Sequence, residues 1–163
     1  MRSLRSPRQA LALAAWLVAC GSAPAAPGPG EVAVTIRGHR IVAEVADTDE
    51  KKRLGLGGRD GFAPDRGMLF PYPMPERYAF WMKGMRFDID ILWIRGDRVV
   101  SLSERAPHPQ GPVLDDAALP EFRPTEPADR VLEVEAGTVA RLGWRAGDAV
   151  RFEPPLGRDP AGE

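Results

Sequence analysis

The sequence predicts a mainly β fold: a compact antiparallel β-sandwich or barrel-like single domain with two short helices. Three observations predict it. Apolar residues alternate with small or polar ones over short runs, as at Val32, Val34 and Ile36, which is the period of a strand with one face covered. Glycine and proline are frequent, 17 of each in 163 residues, and so many turns favour short strands over a few long helices. The most apolar stretch beyond the N-terminus, Tyr78 to Ile94 (YAFWMKGMRFDIDILWI), is rich in the aromatic and β-branched residues that strands favour. It is expected to form two successive core strands that bury Trp81 and Trp93.

Residues 1–19 do not belong to that domain. Arg2, Arg5 and Arg8 precede an apolar run from Ala10 to Ala19 that is too short to span a bilayer as a helix, the pattern of a secretory signal peptide. The run ends in Leu17-Val18-Ala19-Cys20, similar to the lipobox of bacterial lipoproteins, so Cys20 is expected to carry the lipid and become the new N-terminus. Cys20 is the single cysteine, which leaves the mature domain no disulfide, thiolate metal cluster or catalytic thiol. Cleavage leaves 19 basic against 23 acidic residues, and a mildly acidic domain is a poor nucleic-acid binder. Residues 20–30 read as the lipidated cysteine and a Gly/Pro/Ala linker. The β-rich domain is expected over 31–155, and 156–163 form a polar tail.

Within the domain the elements follow in order. Val32–Ile36 and Ile41–Val45 read as a hairpin about Gly38-His39. Asp47 has the place of a helix N-cap with Glu50 three residues on, which predicts a helix over Thr48–Leu54 stopped at Gly55. Met68-Leu69-Phe70 predicts a short buried strand, after which Pro71, Pro73 and Pro75 predict an irregular connection. Arg77–Met82 and Phe87–Arg95 are expected strands, and Gly96-Asp97 turns the chain into another at Arg98–Glu104. The proline-rich stretch 106–129 has no period and reads as a long loop. Arg130–Glu135 is an alternating strand, Thr138–Leu142 a helix between Gly137 and Gly143, and Ala149–Phe152 the last strand.

Chemistry is less legible. Asp88 and Asp90 would share a face of a strand about 6.5–7 Å apart, a separation that a pair of carboxylates could use but that a solvated strand face explains more simply. Asp90 sits between Ile89 and Ile91; on a covered face its charge needs a cation or backbone donors. Lys83 and Arg86 are nearest in sequence, and Arg123 or Arg141 could arrive through the fold. Ligand-binding candidates are therefore Lys83, Asp90, Trp81 and Arg123, with no catalytic residue singled out. His39 and His108 lie far apart and show no zinc spacing. Met68, Met74, Met82 and Met85 could form a thioether site for Cu(I), or fill a core against aromatic rings. Ser101 and Ser103 lack a nucleophile elbow, and Gly55, Gly57 and Gly58 follow a helix instead of opening one, so no phosphate loop is present.

Gly55-Leu56, Gly67-Met68-Leu69-Phe70, Phe80-Trp81-Met82-Lys83, Asp90-Ile91-Leu92-Trp93-Ile94, Val131-Leu132-Glu133-Val134 with Ala136-Gly137, and Gly147-Asp148 occur in an order that resembles the bacterial family called domain of unknown function 192. The resemblance runs from Val32 to Phe152. It departs at Gly84, where the family commonly has Asn, and at Asp88, where Pro is common. It implies a small, β-rich, often exported domain without an agreed biochemical activity.

The expected function is accordingly a membrane-tethered exported domain that binds a small ligand, an envelope glycan or a protein, without catalysis and without a cofactor. The tether is expected on the periplasmic face of the outer membrane if the cell has two membranes. The alternatives are an envelope hydrolase using Asp90 with Lys83, and Cu(I) binding by the methionines.

Overall fold

The computed structural model describes residues 26–111, 115–116 and 119–156. The signal peptide, Cys20, part of the linker and most of the polar tail lie outside the described residues. The elements are β1 (Glu31–Ile36), β2 (His39–Val45), α1 (Asp49–Leu54), β3 (Arg66–Glu76), β4 (Phe80–Trp81), β5 (Ile89–Arg95), β6 (Arg98–Ala106), β7 (Glu121–Phe122), β8 (Ala128–Glu135), α2 (Thr138–Leu142) and β9 (Val150–Glu153).

Seven strands form one curled sheet in the order β6-β5-β8-β3-β2-β1-β9. Its edges meet where Arg98 bridges Ala149, the Val99 N–H donates to the Asp148 carbonyl at 3.0 Å and the Val150 N–H to that of Asp97 at 2.7 Å. Meeting edges leave fewer unpaired backbone groups. The pairing is antiparallel except between β2 and β3. That parallel step needs a crossover, which α1 and the turns after it supply.

Alternation along the strands sorts side chains into two apolar layers. Leu69, Leu92, Ile94, Leu132 and Val134 point inside the curl with Val34, Ile36 and Ile41, and α2 closes one end with Val139 and Trp144. Met68, Phe70, Ile89, Ile91, Trp93 and Val131 point outward from β3, β5 and β8, where Leu56, Met82 and Met85 cover them. The three central strands are thus covered on both faces, which explains the continuous apolar run of β5.

Several expectations shift. α1 begins one residue later than predicted: Thr48 is the N-cap, its hydroxyl accepting from the Lys51 N–H at 3.2 Å, while Asp47 pairs with the Lys51 ammonium at 2.7 Å. β3 runs on through its prolines, but its ladder with β8 breaks between Pro71 and Glu76, where proline nitrogens have no proton to give. The expected strand Arg77–Met82 shrinks to two residues, which pair with β7, a short strand inside the stretch read as loop. Trp93 is wholly buried and donates its indole N–H to the Tyr78 carbonyl at 3.1 Å. Trp81, expected in the core, is 47% exposed, because β4 lies outside the main sheet.

Candidate functional site

The site begins with a carboxyl in the wrong solvent. Glu133 occupies the middle of β8, between Met68 of β3 and Ile91 of β5, on the face where its neighbours are apolar. It is only 5% exposed. No hydrogen-bond donor or cation pairs with it among the described residues, and desolvation pushes its pKa up to about 8. No sealed side-chain oxygen lacks a partner among the described residues, so the Glu133 oxygens are reached from the cleft beside it, and a carboxyl with a raised pKa in a cleft is a candidate functional group.

The cleft above it has a volume of ≈ 90 Å³. One wall comes from β3, whose outward side chains include Phe70 and Tyr72; the other comes from β4 with Phe80 and Trp81, and the Leu54-Gly55-Leu56 segment after α1 closes the side. Edge-to-face packing holds these rings in place: Phe70 meets Phe80 at 5.0 Å and Phe80 meets Trp93 at 6.4 Å. Tyr72 stacks on Tyr78 at 3.6 Å. Burial and the nearby Tyr78 and Glu133 raise its pKa to about 12, so its hydroxyl keeps its proton at any physiological pH.

Cations surround the mouth. Lys52 and Arg53 line it from α1, and Lys83 from the turn after β4. The Lys52 ammonium lies 4.4 Å from the Tyr72 ring centre and that of Lys83 5.7 Å from Trp81, within reach of cation–π attraction. Lys83 also pairs with Asp116. Neither Lys52 nor Arg53 forms a salt bridge among the described residues, although Lys52 is near enough to Asp47 to help lower its pKa.

The residues singled out by sequence scatter around this cleft. Lys83 and Trp81 line it. Arg123 does not; it pairs with Glu121 at 2.7 Å, next to Trp81 across the β4–β7 pair. Asp90 is elsewhere. It points inside the curl, fully buried, and its two oxygens accept the Arg105 and Val139 N–H groups, each at 2.8 Å. Among the described residues its oxygens are met by these backbone donors and form no salt bridge. Arg86 is taken by Asp60, and Lys83 works on the opposite face of the sheet, so the Asp90–Lys83 pairing needed for a hydrolase does not form. Asp88 precedes β5 and turns outward, where its carboxylate accepts the His108 N–H at 2.9 Å and contacts the ring Nδ1 at 2.6 Å. Those His108 contacts, the backbone N–H foremost, lower the Asp88 pKa. Asp88 and Asp90 therefore do not act as a pair.

Met68, Met82 and Met85 are packed within the outer apolar layer, whereas Met74 is exposed; the four do not gather at one point. Among the described residues no group of three or more His, Cys, Asp or Glu could hold a metal ion, and no helix is long and apolar enough to cross a membrane. Sequence reasoning missed Glu133, Tyr72, Lys52 and Arg53. A signal for Glu133 was present. Met68-Leu69-Phe70 and Ile89 to Ile94 are apolar on both faces, so a strand between them is covered on both faces too, and its glutamate cannot reach open water.

Comparison with known proteins agrees with this architecture. A protein from Sinorhizobium meliloti 1021, provisionally described as a transcription regulator, superposes with a TM-score of 0.63 at 29% identity over 76% of this chain and 92% of its own. A protein of unknown function from Novosphingobium aromaticivorans DSM 12444 gives 0.63 at 28% identity over 80% and 94%. No curated protein matches the chain. The family model described as "Uncharacterized ACR", domain of unknown function 192, matches residues 32–152, and the chain belongs to that family.

Proposed function

We propose that this chain is an exported, lipid-anchored binding module that takes a small ligand in the Glu133 cleft and performs no chemistry on it. The observation that carries the reading is Glu133 itself: a carboxyl nine-tenths buried, without a hydrogen-bond or ion-pair partner among the described residues, and facing a cleft walled by aromatic rings. Ligand sites combine such apolar walls with a few polar groups that fix orientation. Binding is favoured over catalysis because, among the described residues, no acid, base or nucleophile is hydrogen-bonded to Glu133. The cleft's size suits one ring or headgroup and not a long polymer.

The anchor rests on Arg2 to Cys20 and on the uncharged spacer that follows. Acyl labelling with a palmitate analogue is expected in the wild type and absent in Cys20→Ser; equal labelling of both would remove the tether from the proposal. For the site, a thermal-shift screen of small metabolites and sugar fragments is expected to yield compounds that raise the melting temperature of the wild type and not of Trp81→Ala. If every hit stabilises both proteins alike, the cleft is not the site.

A further inference from the structure

Resting on the reading of the cleft as a ligand site, we propose that its ligand is a ring-bearing carboxylate, whose anionic group meets the Glu133 carboxyl together with Lys52 and Arg53 and whose ring lies against Tyr72 and Trp81. The charges around the cleft select the sign. No donor or cation among the described residues pairs with Glu133, so its carboxyl, held neutral by burial, can donate to an acceptor oxygen. Lys52 and Arg53 form no salt bridge among the described residues, Lys52 acting on Asp47 only at longer range, and Lys83 adds a third cation at the same mouth, partly offset by Asp116. A cationic ligand would meet that positive rim before reaching the floor. An anion is drawn in by it.

The aromatic walls select the shape. Tyr72 and Trp81 face the cleft from opposite strands, and Trp81 keeps 47% of its surface open although it sits beside a packed aromatic cluster. A flat or chair-shaped ring can stack there at little entropic cost to two rigid side chains. The cavity of ≈ 90 Å³ admits the carboxylate and the ring edge and leaves the rest of the ligand outside. Both an aromatic acid and an acidic sugar have this chemistry.

The same arrangement makes binding sensitive to pH. The titratable groups that line the cleft with Glu133 are Lys52 and Arg53 from α1, Tyr72 from β3 and Lys83 after β4. Tyr72 is held neutral, so within the alkaline range up to pH 9 the group whose change of charge would repel a carboxylate is Glu133, with its pKa about 8.

Calorimetry on the full chain with benzoate and glucuronate, their neutral counterparts benzamide and glucose, and the cation benzylamine tests this. At pH 6 at least one carboxylate is expected to bind ten-fold or more tightly than its neutral counterpart, and which of the two does so tells an aromatic acid from a sugar acid. Its affinity should fall about ten-fold between pH 6 and pH 9 in the wild type and stay level in Glu133→Gln, which keeps a donor but cannot ionise. The double change Lys52→Ala/Arg53→Ala should weaken it at both pH values. Preference for benzylamine or for the neutral compounds overturns the anionic class while leaving the cleft a ligand site. If none of the five probes binds, the proposal fails; whether the binding reading fails with it is read from the thermal-shift screen.

Discussion

At the scale of single residues, the two buried carboxylates show how differently one functional group can be used. Asp90 is satisfied. One oxygen accepts from Arg105, the other from Val139, and each contact explains a local irregularity. β6 carries one residue more than β5 between the Ile89–Ala106 and Ile91–Ser103 pairs, and Arg105 in that bulge has φ 52°, a conformation that is unusual for a residue with a Cβ. Val139 is in the first turn of α2, whose own N-cap Gly137 has no side chain to offer. Asp90 thus fastens the bulge and caps the helix from a distant strand. Asp90→Asn replaces one acceptor by an amide that faces an N–H group, so it is expected to lower stability by about 1–3 kcal/mol. Urea denaturation would read this as a lower midpoint with an unchanged slope, and an Asn variant as stable as the wild type would show that the two N–H contacts carry no stability.

Among the elements, β3 governs the site, because its outward side chains form a cleft wall while its backbone packs tightly between β2 and β8. Gly67 shows how tightly. A Cβ there would lie 2.8 Å from the Glu133 carbonyl oxygen, 3.2 Å from Val134 and 3.3 Å from Ile41, and a backbone atom in a central strand cannot move aside. Gly67→Ala is therefore expected to cost about 1–3 kcal/mol through overpacking and to disturb the Met68–Glu133 pairing beside the cleft. Thermal melting checks the first effect, and unchanged melting would mean that β8 can yield. Legibility in the sequence also divides by element. The β1–β2 hairpin, β5, β6, β8 and α2 were readable because period, turn residues and caps are local signals. The two-residue pair β4–β7 was not, since neither strand is long enough to show a period and their partnership spans about forty residues of chain. The cleft was lost with it. Trp81 looks like core by its neighbours in sequence, and only the departure of β4 from the main sheet brings it to the surface. Glu133 looks like a solvated position by the alternation of its own strand, and its burial is signalled only by the apolar runs of β3 and β5, once the fold has set β8 between them.

For the molecule as a whole, its carboxylates make opposing demands on pH. Contacts with Arg59 lower the Glu44 pKa, contacts with His108 lower that of Asp88, and Glu31 and Asp47 are lowered by Arg66 and Lys51. These four contribute stability that is present above their unfolded pKa values and lost as pH falls through the folded ones. Glu133 acts in the opposite sense. Between its unfolded value of 4.5 and its folded value of about 8, the folded chain holds a proton that the unfolded chain has released. Stability from this group is full below 4.5, declines as pH rises, and is gone above the folded pKa. At about 1.4 kcal/mol per pKa unit the decline is of order 5 kcal/mol, large beside the roughly 5–15 kcal/mol that holds a domain together. The wild type should therefore melt at a higher temperature near pH 6 than near pH 8.5. Glu133→Gln nearly preserves shape and cannot ionise, so it should melt above the wild type at pH 8.5 and lose most of the alkaline slope, while the acid limb, set by the four paired carboxylates, stays where it was. Parallel slopes in the two proteins from pH 6 to 8.5 would show that Glu133 is ionised in the fold and that water or a cation reaches it.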